Sequence, residues 1–201
     1  MGKTKKTSER IGALIIFFVA ALVVMKILNG INEEKVVNAN NQQLSYSDWY
    51  GSKSIKQVLK ENERDYLESL KKSGLINDDK LPAIQAEIET TKSLILKYEA
   101  EKTEILLGSA NIPRGYWAQD LDGEMGKIVG LREWQKISND YSNAVAKVNL
   151  GILFLQISIL FGVIILIIPE AHTTFKLFTG LMFTTGLVGI AISIYGYLFS
   201  Y

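Results

Sequence analysis

Three groups of polar residues in this sequence have the types and spacing that could support chemistry. Asp120, Asp122 and Glu124 alternate as the oxygen ligands of a calcium loop do. Such a loop also needs a bidentate carboxylate at its twelfth position, where Leu131 stands, so no metal site is expected there. His172 is the only histidine and cysteine is absent, which leaves zinc without its usual ligands. The same absence removes thiol nucleophiles and any disulfide framework. Glu99, Glu101 and Glu104 alternate with lysines in a helical stretch, where carboxylates ordinarily make i,i+4 pairs on a solvated face. No Walker loop, dinucleotide fingerprint or Gly-x-Ser-x-Gly elbow occurs. The expectation is a chain without catalytic residues, metal, cofactor or small-molecule substrate.

A second set of polar groups lies inside apolar surroundings. Gln156 and Ser158 interrupt a run from Val148 to Ile168. Thr185, Gly189, Ser193, Gly196 and Ser200 recur at spacings of three and four in the last apolar run. A small-residue stripe lets a second helix approach closely, and an amide in lipid needs a hydrogen-bond partner. These residues are therefore candidates for helix packing or, together with Thr184, for lining a polar path through an oligomer.

The elements that position these groups follow from how the apolar residues are distributed. Of the 201 residues, 48% are hydrophobic and 21% charged, an ordinary average that conceals three long apolar runs near the ends. The first covers residues 11–28, and its 18 positions hold a single charge, Lys26, in the last turn. At 1.5 Å per residue it reaches roughly 27 Å, the thickness of a bilayer core. The second covers 148–168. The third covers 177–200 and ends among Tyr195, Tyr197 and Tyr201, which suit an interfacial aromatic belt. Residues 169–176 are too few for anything but a tight reversal, so the last two runs form a membrane hairpin. The chain reads as an all-α membrane protein with three transmembrane helices, in contact with membrane lipid.

The tail, residues 1–10, carries Lys3, Lys5, Lys6 and Arg10. By the positive-inside rule it is cytoplasmic, and three crossings then put residues 29–147 outside and the C-terminus outside too. The first run is longer than a signal-peptide core and no Ala-x-Ala site follows it, so it is expected to be retained as an anchor. Between Gly30 and Asn149 there are 16 basic and 19 acidic residues, a net of −3, which gives no electrostatic footing for nucleic acid.

Within that middle region, Ile55, Leu59, Tyr66 and Leu70 share one helical face, and Gly74 is placed as a C-terminal stop. Pro82 opens a second helix. Its seam of Leu81, Ile84, Ile88, Thr91, Ile95, Tyr98, Lys102 and Ile105 keeps heptad spacing, with Thr91 and Lys102 as the imperfect positions. The two helices, within about 48–107, are expected to fold back as an antiparallel coiled-coil hairpin. Residues 108–130, with Pro113, Gly115, Gly123, Gly126 and Gly130, read as a loop displaying Tyr116 and Trp117 as partner-contact candidates. Residues 131–147 are expected to be helical and to run into the second membrane helix.

Three stretches carry a family resemblance. Trp49-Tyr50-Gly51-Ser52-Lys53-Ser54-Ile55-Lys56-Gln57 is similar to a Tyr-Tyr-Gln-Ala-Lys-Ser-Ile-Lys-Gln stretch of an uncharacterised bacterial membrane-protein family catalogued as a domain of unknown function. Tyr98-Glu99-Ala100-Glu101-Lys102-Thr103-Glu104-Ile105 and Phe154-Leu155-Gln156-Ile157-Ser158-Ile159 resemble two further stretches of that family. The chain departs from the pattern at Ser47, where the family has Trp, at Gly51-Ser52, and in its basic tail. The resemblance implies one N-terminal helix, a helical middle and a C-terminal helix pair; it implies no activity. It directs attention to Lys53 and Lys56, one helical turn apart, as contacts to lipid headgroups or to a partner's acidic surface.

Every strong pattern in the sequence is thus an association pattern. The function expected is that of a non-enzymatic inner-membrane assembly or accessory protein, acting with copies of itself or with another membrane protein. The alternative is an oligomeric channel-forming or membrane-perturbing effector gated by the helical hairpin.

Overall fold

The computed structural model describes residues 2–121, 123–169 and 172–198. Among them are four α-helices: α1, Gly2–Lys72; α2, Leu81–Leu107; α3, Leu131–Ile167; and α4, Thr173–Leu198. Two single-turn 3₁₀ segments and two short antiparallel strands, β1 (Asp120–Leu121) and β2 (Glu124–Met125), lie between α2 and α3. Three of the helices contain stretches long and apolar enough to cross a membrane.

α1 is longer than its periodicity suggests, because residues 29–47 are helical as well. That stretch has no proline and one glycine, Gly30, so nothing in it breaks a helix once both flanks are helical. Its Asn-rich composition hides the apolar contrast by which a helix is recognised. α1 ends where expected: Lys71 and Lys72 occupy its last turn, Ser73 Oγ donates to the Leu70 carbonyl at 2.7 Å, and Gly74 takes φ +68°. α2 begins with Pro82 in its first turn and is closed by the Gly108 N–H donating to the Glu104 carbonyl at 2.7 Å.

The helices form two compact units, Met1–Asn38 with Ile137–Tyr201, and Ala39–Lys136. In the first, Ile11, Phe18, Leu155, Ile165 and Met182 make the core. Here α3 and α4 touch backbone to backbone. A Cβ at Gly189 would lie 2.8 Å from the Gly151 carbonyl and 2.9 Å from Leu155 N, and one at Gly196 would lie 2.8 Å from Lys147 Cβ. The contacts ascend α3 as they descend α4, from Gly196 beside Val148 to Met182 beside Gly162. α1 fills the remaining notches, Phe18 against Gly186 and Ile15 against Gly162. Asn29, beyond the first apolar run, donates to Glu33 Oε1 at 2.7 Å and to Asn149 Oδ1 at 3.1 Å.

In the second unit, Tyr46, Ile105 and Ile128 are buried and packed by Trp49, Tyr50, Leu131 and Trp134. The α2 seam faces inward: Ile88, Thr91, Ile95 and Ile105 are buried, and the other four members are partly so. The apolar face of α1 does the opposite. Ile55, Leu59 and Tyr66 are 65%, 61% and 63% exposed, and the polar residues Lys53, Gln57, Glu68 and Lys71 reach α2 beside them. At its Ile105 end the α2 seam meets the Tyr46, Trp49 and Tyr50 rings of α1, and further along it meets long polar side chains whose heads pair with α2.

Candidate functional site

The least expected feature of the second unit is Glu104, a residue whose sequence context suggests a solvated carboxylate. It is fully buried. Its Oε1 accepts from Ser109 Oγ at 2.7 Å, and its Oε2 accepts from the N–H groups of Ala118 and Gln119, each at 2.8 Å. A carboxylate accepts at both oxygens, and three donors converge on it. The network extends further: Ser109 Oγ accepts from the Ile128 N–H at 2.9 Å, and the Ser109 N–H donates to the Ile128 carbonyl at 2.8 Å. One side chain on the last turn of α2 thereby fixes both ends of the loop that follows.

Trp117 completes the loop. Its indole N–H donates to the Ser109 carbonyl at 3.0 Å, the Arg114 guanidinium lies 5.6 Å from its ring centroid, and its ring covers Gly126. Gly126 has φ +85°, and a Cβ there would be 2.5 Å from the indole, so both conformation and space demand glycine. Trp117 is therefore spent on packing its own loop, whereas Tyr116 beside it is 61% exposed. Asp120 and Glu124 stand on β1 and β2, and Asp122 lies outside the described residues.

Two of the sequence motifs meet in this unit. Lys53 Nζ lies 2.7 Å from Glu101 Oε2, with side chains only 15% and 5% exposed. The pair is ionic rather than directional, since that oxygen is off the line of a good hydrogen bond. Lys102, an imperfect seam position, donates to Gln57 Oε1 at 3.1 Å and lies 5.2 Å from the Tyr50 ring centroid. An interior pair of this kind adds little net stability but is expensive to break on one side, so its value lies in register. Lys56, one turn further along α1, is exposed beside Ser52 and Leu59. On the rim, the hydrogen bond to Glu63 raises Lys60 above the ordinary lysine value, and that to Asp65 does the same for Arg64.

Of the candidates in the apolar runs, Ser158 and Thr185 meet at the Met182 carbonyl, whereas Gln156 stands apart from them. Ser158 is buried and donates to the Met182 carbonyl at 2.6 Å. Thr185 donates to the Leu181 carbonyl of its own helix at 2.7 Å, and Thr184 to that of Gly180 at 2.9 Å. Gly189, Ser193 and Gly196 are buried against α3, so the small-residue stripe is occupied by a helix of the same chain. Ser200 and Tyr201 lie outside the described residues. Gln156 is exposed on α3.

Glu104 escapes sequence reasoning because a Glu among lysines looks solvated. The available signal is its position, one residue before the inward-facing Ile105 and four before Gly108 ends the helix. An acceptor placed there can satisfy loop N–H groups that would otherwise be buried without partners.

Taken together, these features define an all-helical chain with three potential membrane spans and a middle region organised by a buried carboxylate. It belongs to the family described as Domain of unknown function (DUF4337), whose model matches residues 7–199, in agreement with the resemblance of its three motifs. No curated protein and no solved structure matches it.

Proposed function

We propose that this chain is a non-enzymatic assembly or accessory protein of a bacterial inner membrane, acting through helix packing. The observation that carries this reading is the outward apolar face of α1. Leu44, Ile55, Val58, Leu59 and Tyr66 are 52–65% exposed along one helix. Single exposed apolar residues are ordinary, but a sustained row marks an association surface. The polar groups nearby are engaged in holding their own unit together, as Glu104, Lys53 and Lys102 illustrate. In this reading α1 and α2 pair as an antiparallel coiled-coil stalk, supported by the order of the cross-links Lys53–Glu101, Gln57–Lys102, Glu68–Lys92 and Lys71–Gln85. The stalk is periplasmic and the tail cytoplasmic.

Native mass spectrometry of the chain extracted from its own membrane in mild detergent tests the function. The expected result is an assembly heavier than the 22.5 kDa monomer, made of copies of the chain or of the chain with another membrane protein in fixed ratio. Recovery of the monomer alone overturns it. Orientation is checked separately with single cysteines in this cysteine-free chain. Ser73→Cys is expected to react with an impermeant thiol reagent in intact cells, and Ser8→Cys only after lysis. The reverse pattern inverts the topology.

A further inference from the structure

We infer that the outward face of α3 is an interface between copies of this chain, registered by a reciprocal hydrogen bond between two Gln156 side chains. The inference rests on the membrane-assembly reading and deepens it by naming the partner as a second copy. Gln156 lies eight residues, about 12 Å, from Val148 and twelve residues, about 18 Å, from Ile168, too deep for its short side chain to reach either surface. It is exposed, and no hydrogen bond to it forms among the described residues. Of the other polar side chains of the spans discussed above, Ser158 is bonded to α4 and Thr184 and Thr185 to their own helix, while the Ser193 hydroxyl is enclosed between α3 and α4, away from lipid. Lipid offers an outward amide neither donor nor acceptor, so the amide calls for a protein partner.

The chemistry of the group selects that partner. A primary amide carries one acceptor oxygen and an NH₂ donor, so two of them in register satisfy each other reciprocally. Copies inserted by the same route share an orientation, which sets α3 beside α3 in parallel and brings the two amides to one depth. The surrounding face fits such a pairing. Leu153, Gln156, Leu160, Val163 and Ile167 follow spacings of three and four, and the four apolar members are 50%, 61%, 49% and 79% exposed. This is the heptad seam of a parallel helix pair, with one polar position fixing register. The small-residue stripe on α4 cannot serve the same purpose, because α3 already covers it.

The test is disulfide cross-linking of the full-length, cysteine-free chain in native membranes. Leu153→Cys and Leu160→Cys, introduced singly, are expected to give covalent dimers under mild oxidation. Leu187→Cys, 47% exposed on α4, is expected to give few. Adding Gln156→Leu to Leu160→Cys is expected to weaken pairing about three- to tenfold, read from the dimer yield against dilution with unlabelled chain. This substitution puts an apolar residue at an outward position and leaves the internal packing of the chain untouched. Equal yields from both faces, an unaltered yield with Gln156→Leu, or cross-links to a different membrane protein would overturn the interface. If native mass spectrometry still finds an assembly in that case, the assembly reading stands without it; if the wild type is monomeric, both fall.

Discussion

Replacing Glu104 with alanine is expected to release the loop between α2 and α3 and to destabilise the second unit by about 3–5 kcal/mol. The estimate follows from what the substitution leaves behind. The Ala118 and Gln119 N–H groups and the Ser109 hydroxyl would all lose an acceptor in a place water does not reach. Each buried unsatisfied donor costs about 1–3 kcal/mol, and the sum is reduced when the loop opens and lets water in. Glu104→Gln is expected to fall between wild type and alanine, because its carbonyl oxygen still accepts while its NH₂ group points at donors. Trypsin reads the opening directly, since Arg114 and Lys127 lie within the loop. Cleavage there should accelerate at least about tenfold in Glu104→Ala, as opening becomes cheaper by more than about 1.4 kcal/mol. Cleavage rates and urea midpoints equal to wild type would show that the carboxylate does not hold the loop.

The second large effect is expected at Gly151. A Cβ there would collide with Ser193 Oγ and come within 2.6 Å of the Gly189 carbonyl, so Gly151→Val requires α3 and α4 to separate. Separation forfeits the close backbone packing that holds helices together where lipid supplies no hydrophobic drive, and it strains the Ser158 bond to the Met182 carbonyl. Overpacking on this scale costs about 1–3 kcal/mol. In a chain of this size that corresponds to a fall of roughly 3–10 °C in the midpoint of thermal unfolding. Gly180→Ala is the matched control, because nothing lies within 4 Å of its added Cβ, and it should melt as the wild type does. Circular dichroism of the detergent-solubilised full chain distinguishes the two; equal midpoints would remove the glycine contact from the account of this unit.

The helices were legible in the sequence wherever apolar residues set a period. The runs within α1, α3 and α4, the heptad seam of α2, the stop at Gly74 and the start at Pro82 all depend on local chemistry, and each appears in the structure. Residues 29–47 were not legible, because an Asn-rich segment without breakers becomes helical through its neighbours rather than by its own pattern. The inward side of α1 was also hidden. Periodicity shows that Ile55, Leu59 and Tyr66 share a face, but it cannot show whether that face meets α2 or solvent. Glu104 and the Lys53–Glu101 pair were invisible for a related reason: a charged residue on a helix is ordinarily solvated, and only the packing of a second element makes it interior.

The network around Glu104 also bears on how the chain folds. Its partners lie 5, 14 and 15 residues along the chain, and the bond from Ile128 to Ser109 spans 19. Every bond in it therefore closes within the single stretch 104–128. Contacts of such short sequence separation form early and rapidly, because little loop entropy is lost in making them. A chain emerges from the ribosome one residue at a time, and this stretch carries all it needs for its network of hydrogen bonds before α3 has followed it.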